Sequence, residues 1–172
     1  MKKVLFGVFA FAVFAMGSMS VSAQGKTVVD IAVGSPDHTT LVAAVKAADL
    51  VGTLSGAGPF TVFAPVNGAF SKLPAGTVDT ILKPENKSMM TKVLTYHVVS
   101  GNLDSKAVAK AIKAGGGKAE LTTVSGGKLW AMMEGKNVVL MDEKGNKATV
   151  TAVDLKGSNG VIHVIDTVVM PN

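Results

Sequence analysis

Hydrophobic residues recur with helical spacing in the first two thirds of the chain. The clearest case is the segment Leu41–Ala48, whose apolar residues share one side of a helix. Further helices are predicted at Thr77–Leu82, Pro84–Thr95 and Asp104–Lys113. The period does not decide between helix and strand for Thr27–Val33, and the glycines of Gly52–Pro59 indicate a loop.

The period changes to two after the glycines at positions 115–117. Apolar residues then alternate with polar ones, or run together, in five segments: Ala119–Val124, Lys128–Met133, Val138–Met141, Ala148–Val153 and Val161–Met170. Short glycine-containing turns separate the first four of these segments, which is typical of hairpins. The pattern predicts an antiparallel meander, and helices followed by strands indicate an α+β fold.

The segment Phe60–Phe70 joins the two kinds of structure. Its first half, Phe60–Ala64, is apolar and rich in β-formers, so it predicts a buried strand. Pro65 cannot donate to a sheet ladder and ends that strand. Asn67 then stands where a helix N-cap is expected. We expect the three phenylalanines of this segment to share one core: Phe60, Phe63 and Phe70.

The first 23 residues have the composition of an export signal. Lys2 and Lys3 precede an apolar run from Val4 to Met16, and Val21–Ala23 fits a cleavage site with small residues. An uncleaved membrane anchor is the alternative, but the apolar run is short for a membrane span. We therefore expect cleavage, with residues 24–172 forming a single domain that is secreted or periplasmic and has no stable membrane anchor.

Composition excludes several classes of function and site. The net charge is +5, or +3 without the two lysines of the leader, and every basic residue is a lysine. Proteins that bind nucleic acid use arginine and clustered basic residues, so a nucleic-acid partner is not expected. The chain has no cysteine and thus no disulfide. Packing alone must stabilise the fold.

Three motifs resemble those of the fasciclin (FAS1) domain family. Thr61–Phe70 is similar to the first signature box of the family, and Val161–Pro171 is similar to the second. Between them, Tyr96–Val99 resembles the tyrosine–histidine motif of the family. The motifs follow the order of the family and span nearly all of the chain after the leader. The box residues that we expect to be structural are Thr61, Phe63, Pro65, Asn67, Phe70, His163, Asp166 and Pro171.

The resemblance implies a fold and a kind of function. The fold is a twisted antiparallel β-wedge with several short helices packed alongside. The function is non-enzymatic binding, as in cell-surface or extracellular-matrix adhesion through protein or glycan contacts. We expect weak contacts, with a weak homodimer as one way for a single domain to bridge partners. The alternative is a carrier of a small apolar ligand such as a carotenoid or lipid, which some FAS1 proteins resemble.

Tyr96 and His97 are the candidate partner-binding residues. In animal members of the family the tyrosine–histidine region is implicated in receptor binding, which implies the same role here. The competing interpretation is structural, with both rings in the interior and His97 hydrogen-bonded, and the apolar residues around the pair favour it.

Asp166 stands in the apolar last segment and therefore needs polar partners. We expect it to accept hydrogen bonds from Thr61 or Asn67 and so to tie the two boxes together. A catalytic role for Asp166 with His97 or His163 is the third alternative, but no nucleophile motif accompanies these residues.

No cofactor or metal site is expected. His38, His97 and His163 lack the spacing of a ligand pair. Trp130 fits either a surface site or a core position with a hydrogen-bonded ring.

Overall fold

A computed structural model describes residues 25–172 of the chain. The predicted leader, residues 1–23, and its cleavage site lie outside this part, so both stay predictions. None of the helices formed by residues 25–172 has the length and hydropathy that crossing a bilayer requires.

Seven short helices occur in the described chain. Their bounds are Val28–Val33 (α1), Thr39–Ala47 (α2), Val51–Leu54 (α3), Asn67–Ser71 (α4), Thr77–Leu82 (α5), Lys87–Tyr96 (α6) and Ser105–Ala114 (α7). Single 3₁₀ turns precede α2 and α6, at Pro36–His38 and Pro84–Asn86. The helices predicted from periodicity are present, and α3 lies in the segment that was expected to be a loop.

Local capping explains why the undecided segment after Thr27 is a helix. The Thr27 hydroxyl accepts a hydrogen bond from the Asp30 backbone, and the Asp30 carboxylate accepts one from the Thr27 backbone. This capping box satisfies two donors that would otherwise be unpaired at the start of α1. Asp104 caps α7 in a simpler way, by accepting from the backbone nitrogen of Ala107 at 2.8 Å.

Seven strands form one mixed sheet in the order β2-β1-β7-β6-β5-β4-β3. Their bounds are Phe60–Pro65 (β1), Val98–Ser100 (β2), Lys118–Thr122 (β3), Lys128–Glu134 (β4), Asn137–Met141 (β5), Lys147–Gly157 (β6) and Gly160–Ile165 (β7). Strands β3 to β7 are the predicted antiparallel meander. The pattern did not predict that β1 and β7 pair in parallel.

Two apolar clusters lie on opposite faces of the β1–β7 pair. Phe63 and Ile165 belong to a cluster that β4, β5, β6 and α7 complete. Ala64 and Ile162 belong to a second cluster, built with α1, α2, α3 and α6. The expectation of one core shared by three phenylalanines is therefore wrong. Successive strand residues point to opposite faces, so Phe60 packs with the second cluster, as does Phe70 after the strand.

The close approach of β7 to β1 predicts that Gly160 cannot be replaced. A Cβ at Gly160 would lie 2.0 Å from the Phe60 carbonyl oxygen. The backbone of an interior strand cannot move aside to make room for this Cβ. Gly160→Ala should therefore lower the free energy of unfolding by about 1–3 kcal/mol or more. Urea unfolding followed by circular dichroism measures this change.

Gly68→Ala is the matched control, because a Cβ at this helical glycine meets nothing within 4 Å. Alanine in a helix is favoured over glycine, so this variant should be as stable as the parent or up to about 1 kcal/mol more stable. Equal stability of the two variants would contradict the tight β1–β7 contact.

Candidate functional site

The two signature boxes are neighbouring parallel strands. In the register of β1 and β7, Thr61 lies beside Val161, Phe63 beside His163 and Pro65 beside Ile165. Beyond the strands, the Val66 backbone nitrogen donates to the Ile165 carbonyl at 3.2 Å. Backbone pairing thus joins segments that are a hundred residues apart in the sequence.

Side chains of both boxes hold the loop that follows β2. The buried Thr61 hydroxyl donates to the Gly101 carbonyl at 2.7 Å and accepts from the Leu103 nitrogen at 2.8 Å. His163 Nε2 donates to the Leu103 carbonyl at 2.6 Å, and its ring stacks on Phe63 with centroids 5.6 Å apart. These two polar residues therefore position the loop.

Asn67 caps a different helix from the one predicted. Val66 is the N-cap of α4, and Asn67 is the first residue inside that helix. The Asn67 amide oxygen instead accepts from the Thr40 backbone nitrogen at 3.0 Å and from the Thr39 hydroxyl at 3.1 Å, at the start of α2. Its amide nitrogen donates to the Pro36 carbonyl at 3.0 Å. The side chain thus fastens α2 to the first box.

The predicted contacts of Asp166 with Thr61 or Asn67 are wrong. Strand β7 ends at Ile165, so the period-two argument does not extend to this residue. Asp166 Oδ1 accepts from the Thr149 backbone nitrogen at 2.8 Å, and Oδ2 lies 3.5 Å from Lys72 Nζ. Burial acts to raise the pKa of Asp166, but the hydrogen bonds, that from Thr149 foremost, outweigh it and hold the pKa below its usual value.

Tyr96 is fully buried, and its hydroxyl makes two hydrogen bonds. The hydroxyl donates to the Lys128 carbonyl at 2.5 Å and accepts from the Glu143 backbone nitrogen at 3.2 Å. Burial raises the pKa of Tyr96 to about 12. Gly127 lies so close that a Cβ there would be 2.8 Å from the ring. The ring thus joins the end of α6 to the ends of β4 and β5.

His97 is equally enclosed, with an exposure of 2%. Its Nδ1 donates to the Val93 carbonyl at 2.8 Å, and its Nε2 accepts from the Val169 backbone nitrogen at 3.2 Å. A ring that donates at one nitrogen and accepts at the other is neutral. Burial lowers the pKa of His97 to about 4, which agrees with this arrangement.

The burial of both rings matches the structural interpretation of the tyrosine–histidine motif. Both side chains are buried, with exposures of 0% for Tyr96 and 2% for His97. A role of Tyr96 and His97 in partner binding stays a prediction, and it would act through the surface that these residues support.

Asp142 is a buried polar residue that the sequence analysis missed. Its Oδ1 accepts from the backbone nitrogens of Lys144 and Asn146, and Oδ2 accepts from Met170 at 3.0 Å. The carboxylate therefore folds the β5–β6 turn and holds the C-terminal segment at Met170, next to the buried Pro171. The available signal was the turn sequence Asp142–Asn146, in which an aspartate stands three residues before a Gly-Asn pair.

An apolar pocket opens between the first helices and the sheet. It has a volume of about 160 Å³. His97 and Val98 of the central motif contribute to its lining. The remaining walls are mostly aliphatic side chains from α1, α2, α3 and α6, among them Val28, Val33, Leu41, Val45, Leu54 and Leu94. Val33 is 51% exposed at the rim, so the apolar surface continues to solvent.

Trp130 lies on the outer face of the sheet. The sequence had left open whether it belongs to a surface site or to the core. Its neighbours on β4, Leu129 and Ala131, are fully buried, so Trp130 points to the other face. Met141 lies directly opposite it on β5. Lys118 Nζ stands 4.8 Å from the centre of the indole ring. Four residues of this face form what we call the outer patch: Lys118, Trp130, Met132 and Met141.

The three residues of the predicted catalytic alternative do not come together in the described part of the chain. Among residues 25–172, no three His, Cys, Asp or Glu side chains come close enough to hold a metal ion. No hydrogen bond joins His97, His163 and Asp166 to one another in this part of the chain. Each of the three is instead bound to backbone groups of the fold.

Comparison with known proteins identifies relatives over most of the chain. The fasciclin domain family model matches residues 36–171. Protein sll1483 of Synechocystis is 48% identical over 158 residues, which cover 91% of this chain and 80% of that protein. The cell surface glycolipoprotein MPB83 of Mycobacterium bovis is 33% identical over 160 residues, which cover 90% of this chain and 64% of that protein.

A solved structure shows the same fold. It is a FAS1 domain pair from the insect cell adhesion molecule fasciclin I. The TM-score is 0.54 at 22% identity, and the match covers 74% of this chain and 40% of that chain. The predicted resemblance and the predicted α+β fold are both confirmed.

Removal of the Tyr96 hydroxyl should destabilise the protein. Tyr96→Phe leaves the Lys128 carbonyl and the Glu143 nitrogen without this partner, and we expect a loss of about 1–3 kcal/mol in the free energy of unfolding. The chain has one tyrosine, so ultraviolet titration of the folded parent should show phenolate only near pH 12. Ionisation near pH 10 with the fold intact would contradict the buried hydroxyl.

His97 should make stability depend on pH. The unfolded chain gains a proton at this histidine below about pH 6.5, whereas the folded chain does so only near pH 4. Stability is therefore fully present above pH 6.5 and falls as the pH drops toward 4, by up to about 3 kcal/mol. Urea unfolding at pH 7.5, 6.0 and 5.0 measures the slope.

His97→Gln should reduce this slope because glutamine does not titrate. Burial also lowers the pKa of His38, which contributes in the same direction, so His38→Gln is the matched control. We expect the His38 variant to keep most of the slope. A parent protein that is equally stable at pH 7.5 and 5.0 would rule out the neutral, buried His97.

Proposed function

Because this chain belongs to the fasciclin domain family, we propose that it is an exported, non-enzymatic binding module that makes contacts at the cell surface or in the extracellular matrix. The observation that carries the proposal is the family match over residues 36–171, with relatives named as a cell surface glycolipoprotein and a cell adhesion molecule. The partner is a cell-surface or matrix protein or glycan.

The hydrogen bonding and ionisation of the buried polar residues support a binding function rather than a catalytic one. A general base must be able to reach the proton that it removes from a substrate. His97 has both ring nitrogens bonded to the backbone, and Tyr96 is ionised only near pH 12. Thr61 is buried with both of its hydrogen-bonding roles filled. These groups stabilise the scaffold and leave its surface for contacts.

The outer patch is the surface that we propose for the partner. Tryptophan and methionine are enriched where proteins touch other molecules. Lys118 over the ring and the nearby Lys128–Glu120 ion pair, at 2.8 Å, give the patch a polar rim. Contact through so small a patch would be weak and transient, so binding at a cell surface would gain from a weak homodimer.

Carriage of a small apolar ligand is the second candidate function, and the pocket between α1, α2, α3 and the sheet favours it. Its walls are mostly aliphatic and it reaches solvent at Val33. A concave, mostly apolar pocket is the usual form of a small-molecule site. This function uses a different part of the surface from the outer patch, so one chain can serve both.

Trp130→Ala should weaken partner binding at least tenfold. Truncation of a central aromatic residue typically removes 2 kcal/mol or more of binding free energy, which is roughly a thirtyfold change in Kd. The measurement is the binding of purified protein to an envelope fraction of its own source and to panels of immobilised glycans and matrix proteins. Circular dichroism checks that the variant is folded.

Met133→Ala is the matched control. Met133 is 44% exposed on the same strand, but alternation places it on the opposite face from Trp130. We expect this variant to bind like the parent. If the Trp130 variant bound as tightly as the parent protein, the outer patch would not be the binding surface. If the parent protein bound none of the fractions and panels, the proposed adhesion function would be wrong.

A further inference from the structure

The volume of the apolar pocket limits what it holds. At about 160 Å³ it is well below the 300–1,000 Å³ of sites for drug-sized ligands. A cavity of about 150 Å³ with similar aliphatic walls takes one benzene molecule. A whole carotenoid or a long lipid chain therefore exceeds this pocket, whereas a short alkyl chain fits it.

The rim of the pocket carries one positive and one negative side chain with different surroundings. Asp30 accepts hydrogen bonds from both the backbone and the hydroxyl of Thr27, at 2.9 and 2.7 Å. Lys46, in the last turn of α2, is exposed, and it is absent from the ion pairs that the described residues form. Both hydrogen bonds to Asp30 go to its Oδ2 and lower the pKa of Asp30, so the carboxylate keeps its negative charge. Lys46 is the positive side chain among the residues that line the pocket, and it can pair with an anionic head group.

We infer that the pocket binds a short-chain anionic amphiphile, such as a fatty carboxylate of six to eight carbons. Its alkyl chain lies among Val28, Leu41, Val45 and Leu54, and its carboxylate pairs with Lys46. This inference rests on the second candidate function and narrows its ligand class. It does not depend on the outer patch.

The chemistry of the pocket predicts how affinity changes with chain length. Each methylene group that leaves water should tighten binding roughly fourfold, until the chain fills the volume. Carbons beyond about the eighth stay in solvent and add little. A charge at Lys46 should favour a carboxylate over an alcohol of equal length by up to about fivefold at low salt, and added salt should reduce the difference.

The test is isothermal titration of the purified protein with butanoate, hexanoate, octanoate and decanoate, and with hexanol and octylamine as uncharged and cationic probes. We expect affinity to rise from butanoate to octanoate and to level off at decanoate. Hexanoate should bind more tightly than hexanol, by up to about fivefold, and octylamine should bind less tightly than octanoate.

Three variants separate the contribution of the ligand's alkyl chain to binding from that of its carboxylate head group. Lys46→Gln should abolish the preference of hexanoate over hexanol and leave hexanol binding unchanged. Lys110→Gln, a matched exposed lysine on α7 away from the pocket, should change neither affinity. Ala32→Leu adds bulk to a residue that lines the pocket and should weaken all of the probes at least tenfold. Thermal melting confirms that each variant is folded.

The outcomes distinguish this inference from the function on which it rests. Equal affinity for hexanoate and hexanol, or binding that Ala32→Leu leaves unchanged, overturns the anionic amphiphile at this pocket. Native mass spectrometry of protein from its own source supplies the second readout. A retained neutral hydrocarbon would preserve the carrier function and overturn the anionic head group. No probe binding and no retained ligand would overturn both.

Discussion

The parallel pairing of β1 with β7 is the constraint on which the rest of the structure depends. These strands are the second and third of the seven in the sheet order, and both of their faces are covered. Parallel strands are stable mainly when both faces are buried. The pair therefore needs an apolar cluster on each side, and the helices of the first half and the meander of the second half supply one each. Gly160 permits the close approach at which the pairing begins.

Buried polar groups complete this arrangement by bonding to backbone that strands and helices leave unpaired. Thr61 and His163 hold the loop after β2, Tyr96 joins α6 to the β4 and β5 ends, and Asp142 holds the C-terminal segment. A buried polar group without a partner costs free energy, so each of these contacts fixes the position of a loop. The residues of the signature motifs thus hold the loops and the ends of strands and helices in place in this chain.

Local patterns predicted the local structure well. The helices α2, α6 and α7 and the strands β3–β6 follow from periodicity, because each buries one face against the core. Helix α5 and strand β7 were also predicted, although α5 has no buried residue and β7 is covered on both faces. The capping box at Thr27 was readable from Thr27 and Asp30, but the period alone left that segment undecided. Periodicity did not predict the parallel pair, because a local pattern of residues does not show which strands pair across a hundred residues of sequence.

The errors have the same origin. Asn67 has the right residue type for a cap, but tertiary contact directs its side chain to α2 instead of α4. Asp166 was assigned to a strand that ends one residue earlier. The apolar pocket also depends on tertiary packing, because its lining comes from six elements. The exposure of Trp130 was undecidable from alternation alone, as either face of a two-sided sheet can be covered.

The two proposed binding surfaces lie on opposite halves of this construction. The outer patch belongs to the β3–β5 part of the sheet, and the pocket belongs to the helices that cover β1. Strands β7 and β6 lie between them in the sheet order, and none of the four outer-patch residues lines the pocket. Energetic coupling would require an element with two arrangements that both surfaces bias. We therefore expect occupancy of the pocket and contact through the patch to be independent. A module built in this way can present a partner surface on one side while it carries a small ligand on the other.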